Sequence, residues 1–391
     1  MHNKSADGLR GIASLNVAFA HYIGAFFPGT LLVGEVFSFL NRGARYNGVS
    51  ASVTADCLNV ITSPLFIVFY GGRFAVLIFF VLSGYVLTIP YFASDNGIKL
   101  KTRLWGRYLR LNIPVASAAL ISLVLLKLGW YYNIRVAGTF VNAEWFAHFF
   151  GGIVTASSSV RLVLYDMIVN GNSVLVPPIW TMRIEFIGSL FLLLFYISIT
   201  RPFRWLAYTL TLGLFLLGSN GDTVFFIAMF SGSLINMAKT DSGWRYVAFI
   251  VGMYLGGVQL ESVILDVLPM VRISDFISFD KLNFYAALGA WLVVYAVING
   301  VGKQVLESVV VQFLAKISFS LYLVHFIVLC SAASYVYLKV GGSISGHLII
   351  GLVYWVLCLT LSYLFYLFID MPAVRIGKRF SDLVLGGRDK G

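Results

Sequence analysis

Charge is what this sequence has least of. Asp, Glu, Lys and Arg make up 12% of its 391 residues, against about a quarter in a soluble domain. So little charge over that length excludes an ordinary soluble enzyme and leaves a chain that lives in a bilayer. Cysteine is scarce as well. The three (Cys57, Cys330, Cys358) are odd in number and widely spaced, so neither a disulfide framework nor a zinc motif follows. The five histidines are scattered with no H-E-x-x-H among them, and no metal site is expected. No internal repeat or low-complexity tract is visible. The net charge of +11 does not point to nucleic acid, because the sequence has no soluble basic domain to carry such binding. Its positive residues fall in short loops, as membrane topology requires.

What the chain has in quantity is apolar sequence, 59% of all residues. It reads as an all-α polytopic membrane protein with ten spans, near 9–27, 73–92, 111–129, 180–199, 204–219, 222–238, 245–261, 283–300, 317–338 and 347–369. The stretches 58–70 and 145–156 are apolar but short, and read as re-entrant or interfacial pieces. With both termini on the cytoplasmic side, the inner loops hold about twice the Lys and Arg of the outer ones, which sets that orientation. Ala18-Phe19-Ala20 has the small-x-small look of a signal-peptide cleavage site. So many apolar spans follow it that the first segment reads instead as a retained span. One membrane domain over 5–376 and a short basic cytoplasmic tail over 377–391 are expected.

Two outer loops are long, about 28–72 and 130–179, and long loops in compact proteins are commonly functional. They mix aromatic and amide residues (Tyr46, Asn47, Tyr131, Tyr132, Asn133, Trp145). That mixture suits the stacking of a sugar ring, and equally an aromatic belt at the interface.

Chemistry has few carriers in such a chain. Arg10 and His21 sit at the two ends of the first span, and a helix would separate them by roughly 16 Å along its axis. With Arg10 at one interface His21 lies deep in the membrane, where an ionisable group is costly and points to function. The alternative is a histidine that only makes an interhelical hydrogen bond. Glu185 opens the fourth span at a similar expected depth on an oppositely directed helix. A carboxylate beside an imidazole fixes its tautomer and stabilises the imidazolium; otherwise Glu185 pairs with Arg183 or Arg73. Lys99, Lys101, Arg103, Arg107 and Arg110 form the densest basic cluster. The three arginines share one helix face, which suits phosphate oxygens or simply anchors the inner face to lipid headgroups. Ser83-Gly84, before Tyr85, allows close helix packing. Ser318 to His325 brings a second intramembrane histidine, expected nearer the inner face, and Asp370 is expected to pair with basic residues there.

Taken together and in order, these pieces resemble the acyltransferase family 3 membrane proteins, which O-acylate O-antigens, exopolysaccharides and macrolides. The resemblance is carried by Asp7-Gly-Leu-Arg10-Gly with His21, Phe79-Phe80-Val-Leu-Ser83-Gly84, Arg107-x-x-Arg110, Trp180 to Glu185, Ser318 to His325, and Asp370-x-Pro372. It runs from about residue 5 to 376. Leu77-Ile78 stands where members often have an acid, and Asp370 where Glu is common. The esterase-like domain fused to some members is not expected.

The resemblance implies acyl transfer from cytoplasmic acyl-CoA, most often acetyl-CoA, to a hydroxyl of an extracytoplasmic glycan or lipid-linked sugar at the cell's inner membrane. His21 would be general base or acyl carrier and Glu185 its orienting partner. Arg10, Lys101, Arg103, Arg107 and Arg110 would hold the CoA phosphates. Ser83, Tyr322 and His325 would line the site, with the oxyanion donor open among Tyr85, Arg73 and Trp180. A single cavity, basic inside and aromatic outside, is expected to run past His21. The competing class is a transporter or flippase of a polar lipid or sugar, which would also need intramembrane charges.

Overall fold

The computed structural model describes residues 3–26, 68–94, 97–140, 144–150, 160–199, 203–217, 221–238, 242–258, 272–274, 277–278 and 281–386. Most of the stretch 28–72 expected as the first outer loop, with Tyr46, Asn47 and Cys57, lies outside them, as do His2, parts of the segments 58–70 and 145–156, and residues 387–391 of the expected basic tail.

The described chain is helical apart from one small antiparallel strand pair, Arg272–Ser274 with Ile277–Ser278. The long elements are α1 (Lys4–Phe26), α2 (Gly72–Ser94), α3 (Gly97–Lys127), α4 (Trp180–Ser198), α5 (Arg204–Leu217), α6 (Thr223–Leu234), α7 (Trp244–Gly256), α8 (Lys281–Ile298), α9 (Val309–Val328), α10 (Ile344–Phe365) and α11 (Met371–Val384). A helix stands at each of the ten stretches expected to span. Five helical stretches are long and apolar enough to cross a membrane: Gly72–Ala93, Gly97–Lys127, Pro177–Ser198, Val309–Val340 and Ser345–Val384. Their outer faces carry exposed apolar side chains such as Val310, Leu348, Leu352 and Phe368, the surface a lipid solvent accepts.

Local sequence explains several helix ends. Asn3 Oδ1 accepts the Ala6 N–H at 3.1 Å, capping α1 with the residue type favoured there, and Asp7 places an acid in its first turn. Ser343 caps α10 in the same way through the Gly346 N–H. Two expectations about boundaries are corrected. The basic stretch 99–110 is not a loop: it is the first turns of the 31-residue α3, about 46 Å long at 1.5 Å per residue. The tail expected at 377–391 is helical as far as Val384. It packs on α3 where Gly106 and Gly377 meet; a Cβ on Gly377 would come to 3.0 Å from the Gly106 carbonyl.

Close helix crossings position the site. A Cβ on Gly8 would fall 2.2 Å from the Leu306 carbonyl oxygen, and one on Gly11 2.6 Å from the Ala315 nitrogen. Gly8 meets Leu306, Gly11 meets Ala315 and His21 meets His325, so α1 runs parallel to α9 with backbones nearly touching. Gly84 and Gly232 do the same for α2 and α6, where a Cβ on Gly84 would stand 1.7 Å from the Met229 oxygen. Among apolar helices with no hydrophobic drive between them, such small-residue contacts fix the packing.

Candidate active site

Two clusters lie one above the other between α1, α2, α3, α4 and α9. In the first, His21 Nδ1 is 2.9 Å from His325 Nε2, with the rings stacked at 5.1 Å and 16°. His325 is fully buried. Its Nδ1 lies 2.9 Å from the Leu321 carbonyl oxygen, one turn back on α9. A carbonyl only accepts, so His325 carries its proton on Nδ1 and neutral His325 offers the Nε2 lone pair. His21 must then donate from Nδ1, which leaves its Nε2 unprotonated. The edge of Phe326 packs on the His21 ring at 5.0 Å, and Phe149 packs on Phe326 at 4.9 Å. These contacts hold the His21 ring plane.

The second cluster surrounds a buried ion pair. Arg107 donates to Glu185 and, through Nε, to Ser189 Oγ at 2.7 Å. Glu185 and Ser189 stand one turn apart on α4. The same carboxylate oxygen accepts from Ser83 Oγ at 2.9 Å. Around this core lies a cavity of about 520 Å³, with Asp7, Arg10, Ser83, Arg107, Arg110, Glu185, Gln312, Lys316 and Asp370 among the polar residues of its wall and Phe79, Phe80 and Phe319 among the apolar ones. Its wall includes Tyr322 and Thr181. The Tyr322 hydroxyl donates to the Pro178 carbonyl at 3.0 Å and is 2.8 Å from Thr181 Oγ1. The Tyr322 ring is 6.1 Å from that of His325.

The expected pairing of His21 with Glu185 does not form. Glu185 is held by Arg107 and Ser83, and the partner of His21 is His325. The helix packing decides this. α4 begins at Trp180, as its apolar run indicated, with the 3-10 turn Pro177–Ile179 packed on Tyr322, and Glu185, more than a turn along it, meets Arg107 and Ser83. In contrast α9 starts at Val309, not near 317, and His325 reaches His21 instead of lying nearer the inner face as expected.

Of the basic residues expected to share one anion site, Arg10, Arg107 and Arg110 line the cavity. Arg10 also pairs with Asp7 at 3.3 Å, and Arg107 is committed to Glu185. Lys101 is exposed away from the cavity wall. Arg103 donates to the Val86 and Leu87 carbonyls, tying α3 to α2. Arg73 is exposed at the start of α2. Tyr85 is buried and accepts from Asn3 Nδ2 at 3.2 Å. Trp180 packs its edge on Phe225 at 5.4 Å, and Arg183 pairs with Asp222 at 2.8 Å. None of Lys101, Arg103, Arg73, Tyr85 and Trp180 lines this cavity. Nor does His21; Tyr322, which does line it, has its ring 6.1 Å from that of His325.

The aromatic and amide residues expected to face outward are packed within the fold. Tyr131 stacks on Phe150 at 3.7 Å, Asn133 donates to the Phe146 and Phe149 carbonyls, and Trp145 lies against Gly24. Sequence reasoning missed Lys316, Gln312, Thr181 and Ser189. Lys316 and Gln312 stand one turn apart on the stretch of α9 taken as a loop, and that spacing is the signal that could have found them. Among the described residues no group of three or more His, Cys, Asp or Glu side chains is gathered as metal ligands.

The arrangement can do acid–base chemistry with a tautomer-fixed imidazole, and its cavity offers several cations to an anionic ligand. Neither a curated protein nor a solved structure matches the chain. The acyltransferase family 3 sequence model, described as an acyltransferase domain, matches residues 3–369 and so takes in both histidines, the ion pair and most of the cavity wall. By that near-complete match the chain belongs to acyltransferase family 3, a family of membrane acyltransferases.

Proposed function

We propose that this protein is a ten-span O-acyltransferase of the inner membrane with both termini in the cytoplasm. It moves an acyl group, acetyl in the first instance, from cytoplasmic acyl-CoA to a hydroxyl of an extracytoplasmic glycan or lipid-linked sugar. The observation that carries the reading is the hydrogen-bond chain Leu321 carbonyl, His325, His21, which leaves His21 Nε2 as a bare base. The acceptor hydroxyl gives its proton to that nitrogen while its oxygen attacks the thioester carbonyl. The carbon–sulfur bond then breaks, and the CoA sulfur takes the proton back from His21. While His21 is charged, its Nδ1–H bond to His325 becomes charge-assisted and stronger. His325 therefore has the orienting part that the sequence alone assigned to Glu185.

The cavity fits the donor by its chemistry. Arg10, Arg110 and Lys316 supply cations for the CoA phosphates, and Phe79, Phe80 and Phe319 supply an apolar wall for its thin arm. Tyr322 stands between this cavity and the histidines and must swing aside for the thioester to reach His21. Glu185 and Arg107 form a structural wall rather than reacting groups.

The test is transfer of labelled acetyl from acetyl-CoA to host glycan in membrane vesicles, for the wild type and for His21→Ala. Transfer should drop by about a hundredfold or more in the variant. Activity above a tenth of wild type would remove His21 as the base, and absence of thioester cleavage by the wild type would favour a transporter.

A further inference from the structure

A second concavity lies away from the cavity just described, on the outer side of α9. It measures about 720 Å³ and runs between α3, α9 and α10. Leu125, Val328, Leu357, Leu361 and Phe365 are typical of its wall, which is almost entirely apolar. A local irregularity of the helix lies in this wall. Leu329–Ala333 forms a π turn at the end of α9, and the small Ser331 and Ala332 in that turn line the groove. Such turns are rare and recur at functional places.

One mouth of the groove differs from the rest. Trp130, Tyr132 and Tyr335 line it, and the two tyrosine rings lie 5.2 Å apart. The Arg135 guanidinium sits 6.0 Å from the centre of the Tyr132 ring. The Lys339 ammonium sits 5.5 Å from that of Tyr335. Both cations are on exposed residues, and among the described residues neither is in an ion pair. Aromatic rings with amphipathic tips and flanking cations mark the level of lipid headgroups, and here they close one end of an apolar trough among helices that face lipid.

We infer that this groove is a binding site for an anionic membrane lipid. A hydrocarbon chain fills the trough beside the π turn, and the headgroup phosphate lies between Arg135 and Lys339. An uncharged or zwitterionic lipid would use the trough but gain less from the two cations. The trough volume is in the range that holds a ligand with one long chain. The inference does not depend on acyl transfer, because it concerns a different face of α9 from the one that carries His325.

The experiment is native mass spectrometry of the detergent-purified full chain after exchange into mixed micelles of phosphatidylglycerol and phosphatidylcholine with matched acyl chains. The wild type should retain phosphatidylglycerol in preference. Two cations near a surface are worth a preference on the order of ten- to thirtyfold at low salt. Arg135→Ala with Lys339→Ala should abolish the preference while leaving retention of phosphatidylcholine. Ala332→Trp, which fills the trough at the π turn, should lose both lipids. A control on the wild-type protein needs no variant to fold: dihexanoyl phosphatidylglycerol, too short to fill the trough, should compete poorly with the palmitoyl form. Equal retention of the two headgroups by the wild type would overturn the inference. So would equal competition by the short-chain lipid, or an unchanged preference in the double variant.

Discussion

Replacing His325 by Phe is the sharpest perturbation of the proposed mechanism. His325 is completely buried, and Phe keeps a ring of similar size in its slot. Both nitrogens are lost, and with them the acceptor for His21 Nδ1 and the donor to the Leu321 carbonyl, each a 2.9 Å contact. A buried donor left without its acceptor costs about 1–3 kcal/mol. His21 then gains by turning or by moving its proton to the other nitrogen, and either removes the bare Nε2 from the acceptor. A positioned base contributes about 10²–10⁴ in rate, so kcat should fall at least about a hundredfold. The apparent KM for acyl-CoA should stay within about twofold, since Arg10, Arg110 and Lys316 are untouched. His325→Gln should be milder, because its side-chain carbonyl reaches about where Nε2 was and can still accept from His21. Residues that act as a unit are not additive, so His21→Ala with His325→Phe should be no slower than His21→Ala alone. The assay is release of the CoA thiol in vesicles that contain the host glycan, with size-exclusion profiles to establish folding. Turnover of folded His325→Phe above a tenth of wild type, or Gln no better than Phe, would refute the tautomer argument.

Three further outcomes follow from the geometry. Glu185→Ala strands the buried Arg107 cation and should destabilise by about 3–5 kcal/mol, read as a lower melting temperature in detergent, whereas Arg107→Ala with Glu185→Ala should recover part of the loss; a melting temperature unchanged from wild type would mean the ion pair is solvated. Arg110→Ala with Lys316→Ala should raise KM for acyl-CoA more than for the acceptor, with salt blunting the difference, while Arg103→Ala, whose side chain is spent on the Val86 and Leu87 carbonyls, should leave that KM alone and lower thermal stability. For sidedness, Lys101→Cys and Arg135→Cys probe exposed positions on opposite sides of the proposed topology: an impermeant thiol reagent should label Arg135→Cys in intact cells and not Lys101→Cys, and the reverse pattern would invert the topology and the direction of transfer.

The sequence by itself determined the solvent, the element type and the chemical class. Twelve per cent charge and long apolar runs leave no alternative to helices in a membrane, because a backbone in lipid must satisfy its own hydrogen bonds. The spacing of Arg10 and His21, together with the ordered motifs that follow, was enough to mark the family. Tertiary structure decided which of these residues touch. His21 and His325 are separated by 304 positions, and their contact depends on α9 beginning at Val309 and on Gly8 and Gly11 letting α1 press against its neighbours. Depth counted from apolar runs misplaced His325, and for Glu185 it gave the position on the helix but not the partner. Hydropathy registers where a run becomes apolar, whereas a helix can begin in the more polar residues before it, as α9 does at Val309. For the same reason the cluster 99–110 looked like one anion site. Its arginines share a helix, but what each one meets is set by the neighbour across from it: the end of α2 for Arg103, Glu185 and Ser189 on α4 for Arg107, and the open cavity for Arg110.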